Sequence, residues 1–167
     1  MSEPEELRQP SDAQAVEGTQ GAAVATADEP RELEPVGPVN GYFWGTGRRK
    51  TSTARVRIRE GSGAFLVHGR EVPDYFPDIQ WQHQVVQPLK VTELEGKIDV
   101  FVNVTGGGLT GQAGAILMGL ARAIRNMRPE LEPVLREHGF LTRDPRMVER
   151  KKYGRRKARR SFQFSKR

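Results

Sequence analysis

The chain has 167 residues and a formal net charge of +6, with 27 Lys and Arg against 21 Asp and Glu, and it contains no Cys. That length allows one domain plus extensions, and the lack of cysteine excludes a disulfide framework, a thiolate nucleophile and a zinc ribbon. No stretch approaches the roughly 20 apolar residues of a membrane span, and the acidic start MSEPEELRQP has no apolar core of a secretory signal. The expected location is therefore cytoplasmic, with no membrane partner.

Charge is unevenly spread. Residues 1 to 40 hold nine acids and two bases, a net of −7, which leaves +13 on the remainder. They contain no aromatic residue and no apolar period, so residues 1–40 are expected to be a disordered acidic extension. Order is expected from about residue 41. YFWGTG is apolar and aromatic, and RRK (Arg48, Arg49, Lys50) predicts a turn. TSTARVRIRE then alternates strictly. Ser52, Ala54, Val56 and Ile58 share one face, and Thr51, Thr53, Arg55, Arg57 and Arg59 share the other. This is a half-buried strand with an arginine stripe whose members sit roughly 7 Å apart, twice the strand rise. That spacing suits a phosphodiester backbone.

EGSG predicts a turn, AFLV a short strand, HGRE a second turn, and Ile79 to Gln87 a short helix. KIDVFVNVTGGG is the clearest strand, with Ile98, Val100, Val102 and Val104 on one face and Asp99, Phe101, Asn103 and Thr105 on the other. A helix follows from about Gly111 to Met127, with an apolar stripe of Ala113, Ile116, Leu117, Leu120, Ile124 and Met127, and with Arg122 and Arg125 on its far side. Glu130 to His138 predicts a short helix with Pro133 in its first turn and Gly139 at C′. There is no internal repeat.

The tail is the most telling segment. From residue 143 onward it carries twelve Lys and Arg against only Asp144 and Glu149. Its apolar residues are too few and too irregular to bury a face, so no core holds it in shape. Such a chain repels itself and needs a dense polyanion, of which a folded RNA is the natural one. Tyr153, Phe162 and Phe164 interrupt the basic run, as stacking on unpaired bases requires. A solvated face or a localisation patch is the bland alternative.

Candidate catalytic chemistry is sparse. GGGLTG (Gly106–Gly111) satisfies G-x-G-x-x-G between a strand and a helix. The acidic residue about 20 positions on falls near Glu130, which opens a helix, and too little chain follows for a doubly wound sheet. The phosphate-loop lysine position after Gly111 holds Gln112. His68, His83 and His138 lack metal-ligand spacing, and Asp74 and Asp78 in DYFPD fit turn or cap roles. No enzyme, metal site or cofactor is expected.

GTGRRKTSTARVRI (Gly45–Ile58), VTGGGLTGQAGAI (Val104–Ile116), GFLTRDPRMVERKKYGRRKARR (Gly139–Arg160) and the terminal FSKR occur in this order. Together they resemble the universal small-subunit ribosomal protein nine family in its bacterial form, over residues 43 to 167. The stretch PDYFPDIQWQHQ matches only loosely, and Pro133 stands in a helix the family usually writes without proline. The resemblance implies an α/β (α+β) fold, a small mostly antiparallel sheet with helices packed on one face plus a long basic extended tail. It implies a compact RNA-binding domain over residues 41–140 and an RNA-threading tail over residues 141–167. The implied partners are ribosomal RNA of the small-subunit head, neighbouring head proteins and the peptidyl-site transfer RNA. The implied ribosomal-RNA contacts are Arg48, Arg49, Lys50, Arg55, Arg57 and Arg59 in the domain. In the tail they are Arg143, Arg146, Arg150, Lys151, Lys152, Arg155, Arg156, Lys157, Arg159 and Arg160. Lys166 and Arg167 form the tip that approaches transfer RNA. A nucleotide-dependent enzyme and a general DNA-compacting protein remain as alternative classes.

Overall fold

The computed structural model describes residues 37 to 166. Most of the expected acidic extension, and the tip residue Arg167, lie outside the described residues. Strands β1 (Phe43–Arg49) and β2 (Ser52–Glu60) form an antiparallel hairpin. Its register pairs Arg49 with Ser52, which leaves Lys50 and Thr51 as the turn. Lys50 takes a left-handed backbone, φ 51°. The turn expected over RRK is thus confined to Lys50. Arg48 and Arg49 are strand residues and point to opposite faces, because successive side chains along a strand alternate.

Strand β3 (Phe65–Val67), strand β4 (Arg70–Glu71) and strand β5 (Ile98–Thr105) complete a five-stranded sheet in the order β1-β2-β5-β3-β4. Only β3 and β5 run parallel. HGRE, expected as a turn, divides: His68 and Gly69 turn and Arg70–Glu71 is β4. The alternation of β2 and β5 puts Ala54, Val56, Ile58, Val100, Val102 and Val104 into one core. Each fully buried aliphatic side chain contributes about 1.5–3 kcal/mol.

Helices α1 (Val72–Tyr75), α2 (Ile79–Val91), α3 (Leu109–Met127) and α4 (Glu132–Glu137) supply the layer that packs on this core. Helix α2 outruns the expected end at Gln87 and passes through Pro88. Val85, Pro88 and Leu89 are buried together there, and the Thr92 hydroxyl donates to the Pro88 carbonyl at 2.7 Å, closing the last turn. Asp78 caps α2 by accepting from Gln80 N–H at 2.9 Å. At the other end of the domain a 3-10 turn (Pro129–Leu131) leads into α4, and Gly139 at φ 71° ends it as expected.

Helix α3 buries more than its predicted stripe. Ala115, Gly119 and Ala123 form a second buried row, and β1 lies directly on it. A Cβ at Gly45 would fall 2.1 Å from the Gly119 carbonyl oxygen, and one at Gly47 would fall 1.9 Å from that of Ala115. Glycine in β1 is therefore a matter of contact distance between strand and helix. With α3 on one side, the other face of β1, β2 and β5 remains open.

Candidate nucleic-acid interface

Strand alternation decides which side chains line the open face. β1 contributes Trp44, Thr46 and Arg48, β2 contributes Thr53, Arg55, Arg57 and Arg59, and β5 contributes Asp99, Phe101, Asn103 and Thr105. The arginine stripe is thus present, and the cross-strand register interleaves it with aromatic rings. The Arg55 guanidinium lies 6.0 Å from the centre of the Trp44 ring. Arg57 lies 5.3 Å from Tyr42 and 5.4 Å from Phe101, and Arg59 lies 5.7 Å and 5.5 Å from the same two rings. Such contacts are worth about 0.5–1 kcal/mol each at exposed sites. They hold long side chains in place while leaving their charge intact. Tyr42, Trp44 and Phe101 were not singled out in the sequence. The signal was the YFW run, read together with the hairpin register.

Asp99 is the acid on this face, and it is spoken for. One carboxylate oxygen accepts from the N–H groups of Ser62 at 2.9 Å, Gly63 at 3.2 Å and Ala64 at 3.2 Å. The other accepts from Arg59 at 3.2 Å. These hydrogen bonds, that of Ala64 foremost, hold its pKa below the ordinary value, although burial opposes them. Among the described residues no carboxylate lies within ion-pair distance of Arg48, Arg55 or Arg57.

Arg49 goes the other way. Its side chain turns toward α3, beside Gly114, and its guanidinium meets Asp144 at 3.3 Å. Asp144 also binds Arg146, whose Nη2 lies 3.0 Å away and whose backbone N–H donates at 3.0 Å. Hydrogen bonding from Arg146 holds the Asp144 pKa down at about 2, helped by the charge of Arg49. This cluster ties the root of the tail to the end of β1.

Beyond it the described tail has neither helix nor strand, and residues 145 to 166 are exposed apart from half-buried Ala158. It is nevertheless not featureless. Glu149 pairs with Lys152 at 2.8 Å and with Arg159 at 2.8 Å, and both lower its pKa. Arg156 N–H donates to the Arg160 carbonyl at 2.8 Å, and the Arg155 guanidinium donates to the Arg159 carbonyl at 2.8 Å. Glu149 and these carbonyl contacts thus fold the run back on itself locally. Arg143, Arg150, Lys151, Arg155, Arg156, Lys157 and Arg160 are exposed, as is Lys166 at the end of the described chain.

The glycine loop packs as a turn. Gly106 and Gly107 have φ 73° and 66°, and a Cβ at Gly107 would fall 2.1 Å from the Ser52 hydroxyl. That hydroxyl donates to the Gly106 carbonyl at 3.1 Å. The histidines stay apart: His68 bonds the Val104 backbone, His138 stacks on Phe140 at 5.4 Å, and His83 is exposed on α2. Asp74 sits in the first turn of α1.

The model of the family described as Ribosomal protein S9/S16 matches residues 47–167. The chain belongs to this family. The match takes in the hairpin turn, the arginine stripe, the glycine turn and the whole basic tail. The relatives include the small ribosomal subunit protein uS9 of Thermotoga neapolitana, 54% identical over 132 residues, which cover 77% of this chain and 98% of the relative. That of Thermotoga petrophila is 52% identical over the same length, with the same coverage. The members are ribosomal proteins, not enzymes, and none of the described helices is long and apolar enough to cross a membrane.

Proposed function

We propose that this protein is a structural constituent of the small ribosomal subunit, in the cytoplasmic ribosome, and that it binds ribosomal RNA in the subunit head during translation. The division of labour follows the charge. The domain over residues 41–140 locates the protein, beside neighbouring head proteins, through Arg48, Lys50, Arg55, Arg57 and Arg59 on or beside its open face. Arg49 holds the tail root through Asp144 and meets RNA only at that root. The tail over residues 141–167 threads between RNA helices, with Arg143, Arg146, Arg150, Lys151, Lys152, Arg155, Arg156, Lys157, Arg159 and Arg160 on phosphates. Its tip, Lys166 and Arg167, contacts the peptidyl-site transfer RNA. The acidic extension takes no part in RNA binding.

The observation that carries this reading is the tail: an exposed cationic chain with two acids, both already paired, on a domain of a ribosomal protein family. No described part of the chain supplies the polyanion it needs. The glycine turn, filled by the Ser52 hydroxyl, gives no support to a nucleotide enzyme.

The test is reconstitution of small subunits with the full chain and with residues 166 and 167 deleted, measuring occupancy and transfer-RNA affinity together. The reading expects equal occupancy and weaker transfer-RNA binding for the deletion, by about 1–3 kcal/mol per charge-assisted hydrogen bond lost. Failure of the full chain to enter subunits refutes the reading as a whole. Full occupancy with normal affinity refutes the role of the tip.

A further inference from the structure

Phosphate contacts alone do not call for the arrangement on the open sheet face. A cation that neutralises phosphate needs only to reach it, as the tail's do. Arg55 and Arg57 instead lie against aromatic rings, and Trp44 beside them keeps 38% of its surface exposed. Every nucleobase has a π-face that stacks on aromatic side chains and on guanidinium planes. That face becomes available only when the base has left a helix.

We propose that the open face of β1, β2 and β5 is a stacking platform for unpaired RNA nucleotides. Trp44 and the ring-held Arg55 and Arg57 take bases, Asn103 offers an amide to a base edge, and Arg48 takes phosphate. The proposal rests on the RNA-binding reading above and changes the role of the arginine stripe from tracking a backbone to holding bases.

The register supports this occupant. Trp44, Arg57 and Phe101 form one cross-strand row, Thr46, Arg55 and Asn103 the next, and Arg48, Thr53 and Thr105 the third. Each row thus carries one arginine, with rings concentrated in the first row and small polar side chains in the other two, which matches a nucleotide strand whose bases stack at the aromatic end and whose phosphates recur along its length. Charge points the same way, since Arg48, Arg55 and Arg57 have no carboxylate partner among the described residues and Asp99 is taken up by Arg59 and its loop. An acidic peptide would answer the charge but leave the rings unused, and an intact duplex would present no free base to them.

Substituting Trp81→Phe in the full chain leaves Trp44 as its single tryptophan, since the sequence holds two. Titration with short oligoadenylate and with duplex RNA of equal length, at salt high enough to weaken phosphate contacts, reads the platform directly. Trp44 emission is quenched by the single strand and not by the duplex, and Trp44→Ala lowers single-strand affinity by roughly tenfold while duplex affinity holds. Binding of both RNAs with no emission change and no effect of Trp44→Ala overturns the platform and leaves the tail as the RNA-binding element. Absence of RNA binding altogether overturns the broader reading as well. A change of Trp44 emission on removing residues 1–36 without RNA would assign the face to the chain's own acidic segment, and also overturns the proposal.

Discussion

Deleting residues 143–167 should remove most of the salt dependence of RNA binding. Ten Lys and Arg from Arg143 to Arg160 are assigned to ribosomal RNA, of which Arg146, Lys152 and Arg159 are engaged by Asp144 and Glu149. Seven remain without a carboxylate partner. Each phosphate neutralised adds about 0.7 to 0.9 to the slope of log affinity against log salt, so full engagement of the seven corresponds to a slope of about five to six. The assay is filter binding to a small-subunit head RNA fragment over a salt series, full chain against deletion. A fall of about that size is the expected result. An unchanged slope would refute the tail as anchor and move the binding to Arg48, Arg55 and Arg57. A larger fall, approaching ten contacts, would show that Asp144 and Glu149 release their partners on RNA. Glu149→Gln separates these cases, because it frees Lys152 and Arg159 beforehand and should steepen the slope only if they are otherwise held.

Three further outcomes follow from the same geometry. Gly47→Ala drives a methyl group into the Ala115 carbonyl and should cost about 1–3 kcal/mol or more in denaturant unfolding, as overpacking does; a wild-type midpoint would show that β1 and α3 can separate freely. Asp99 has a folded pKa below its ordinary 3.8, so its contribution is present above that value and is lost as pH falls through the lower folded value. Asp99→Asn should therefore flatten the acid limb of the stability curve, and an unaltered limb would mean that the Ser62–Ala64 loop is held by other contacts. Removing residues 1 to 40 should leave incorporation into reconstituted subunits intact, and failure of the truncated chain to incorporate would give the acidic extension a role in assembly.

Much of the framework was legible in residue order. The alternation from Ser52 to Ile58 and from Ile98 to Val104, and the stripe from Ala113 to Ile124, each name one buried face without reference to the rest of the chain. What escaped depends on pairing between distant segments. Asp99 falls on the open face by alternation and reads as exposed, yet it is buried because the loop from Gly61 to Ala64 folds over it. The Gly45 and Gly47 approach to α3 is invisible until the hairpin is laid on the helix. Helix α1 is a single turn containing Pro73, too short to show a period. The extension of α2 past Gln87 runs against the usual reading of proline as a stop, and burial of Pro88 and Leu89 decides it.

The site shows the same division. Strand alternation marked Arg55, Arg57 and Arg59, and cation content marked the tail. The rings that hold the stripe come from β1, β5 and Tyr42 just before β1, and only the sheet register brings Tyr42 and Phe101 to within 6.0 Å of each other. Arg49 stands between Arg48 and Lys50 in a basic triplet, and strand alternation turns it inward to Asp144, almost the length of the domain away in sequence. A basic run is readable as a run; which of its members face the ligand is set by the fold.

The most direct measurement of the central claim is sedimentation of a gently prepared cell extract through a sucrose gradient at low and high salt, with the protein followed by antibody. The account predicts that it travels with the small subunit and stays there through washes that strip loosely bound basic proteins, while the chain lacking residues 143–167 is released. Recovery of the intact protein at the top of the gradient, or with DNA, while small subunits remain whole would contradict it.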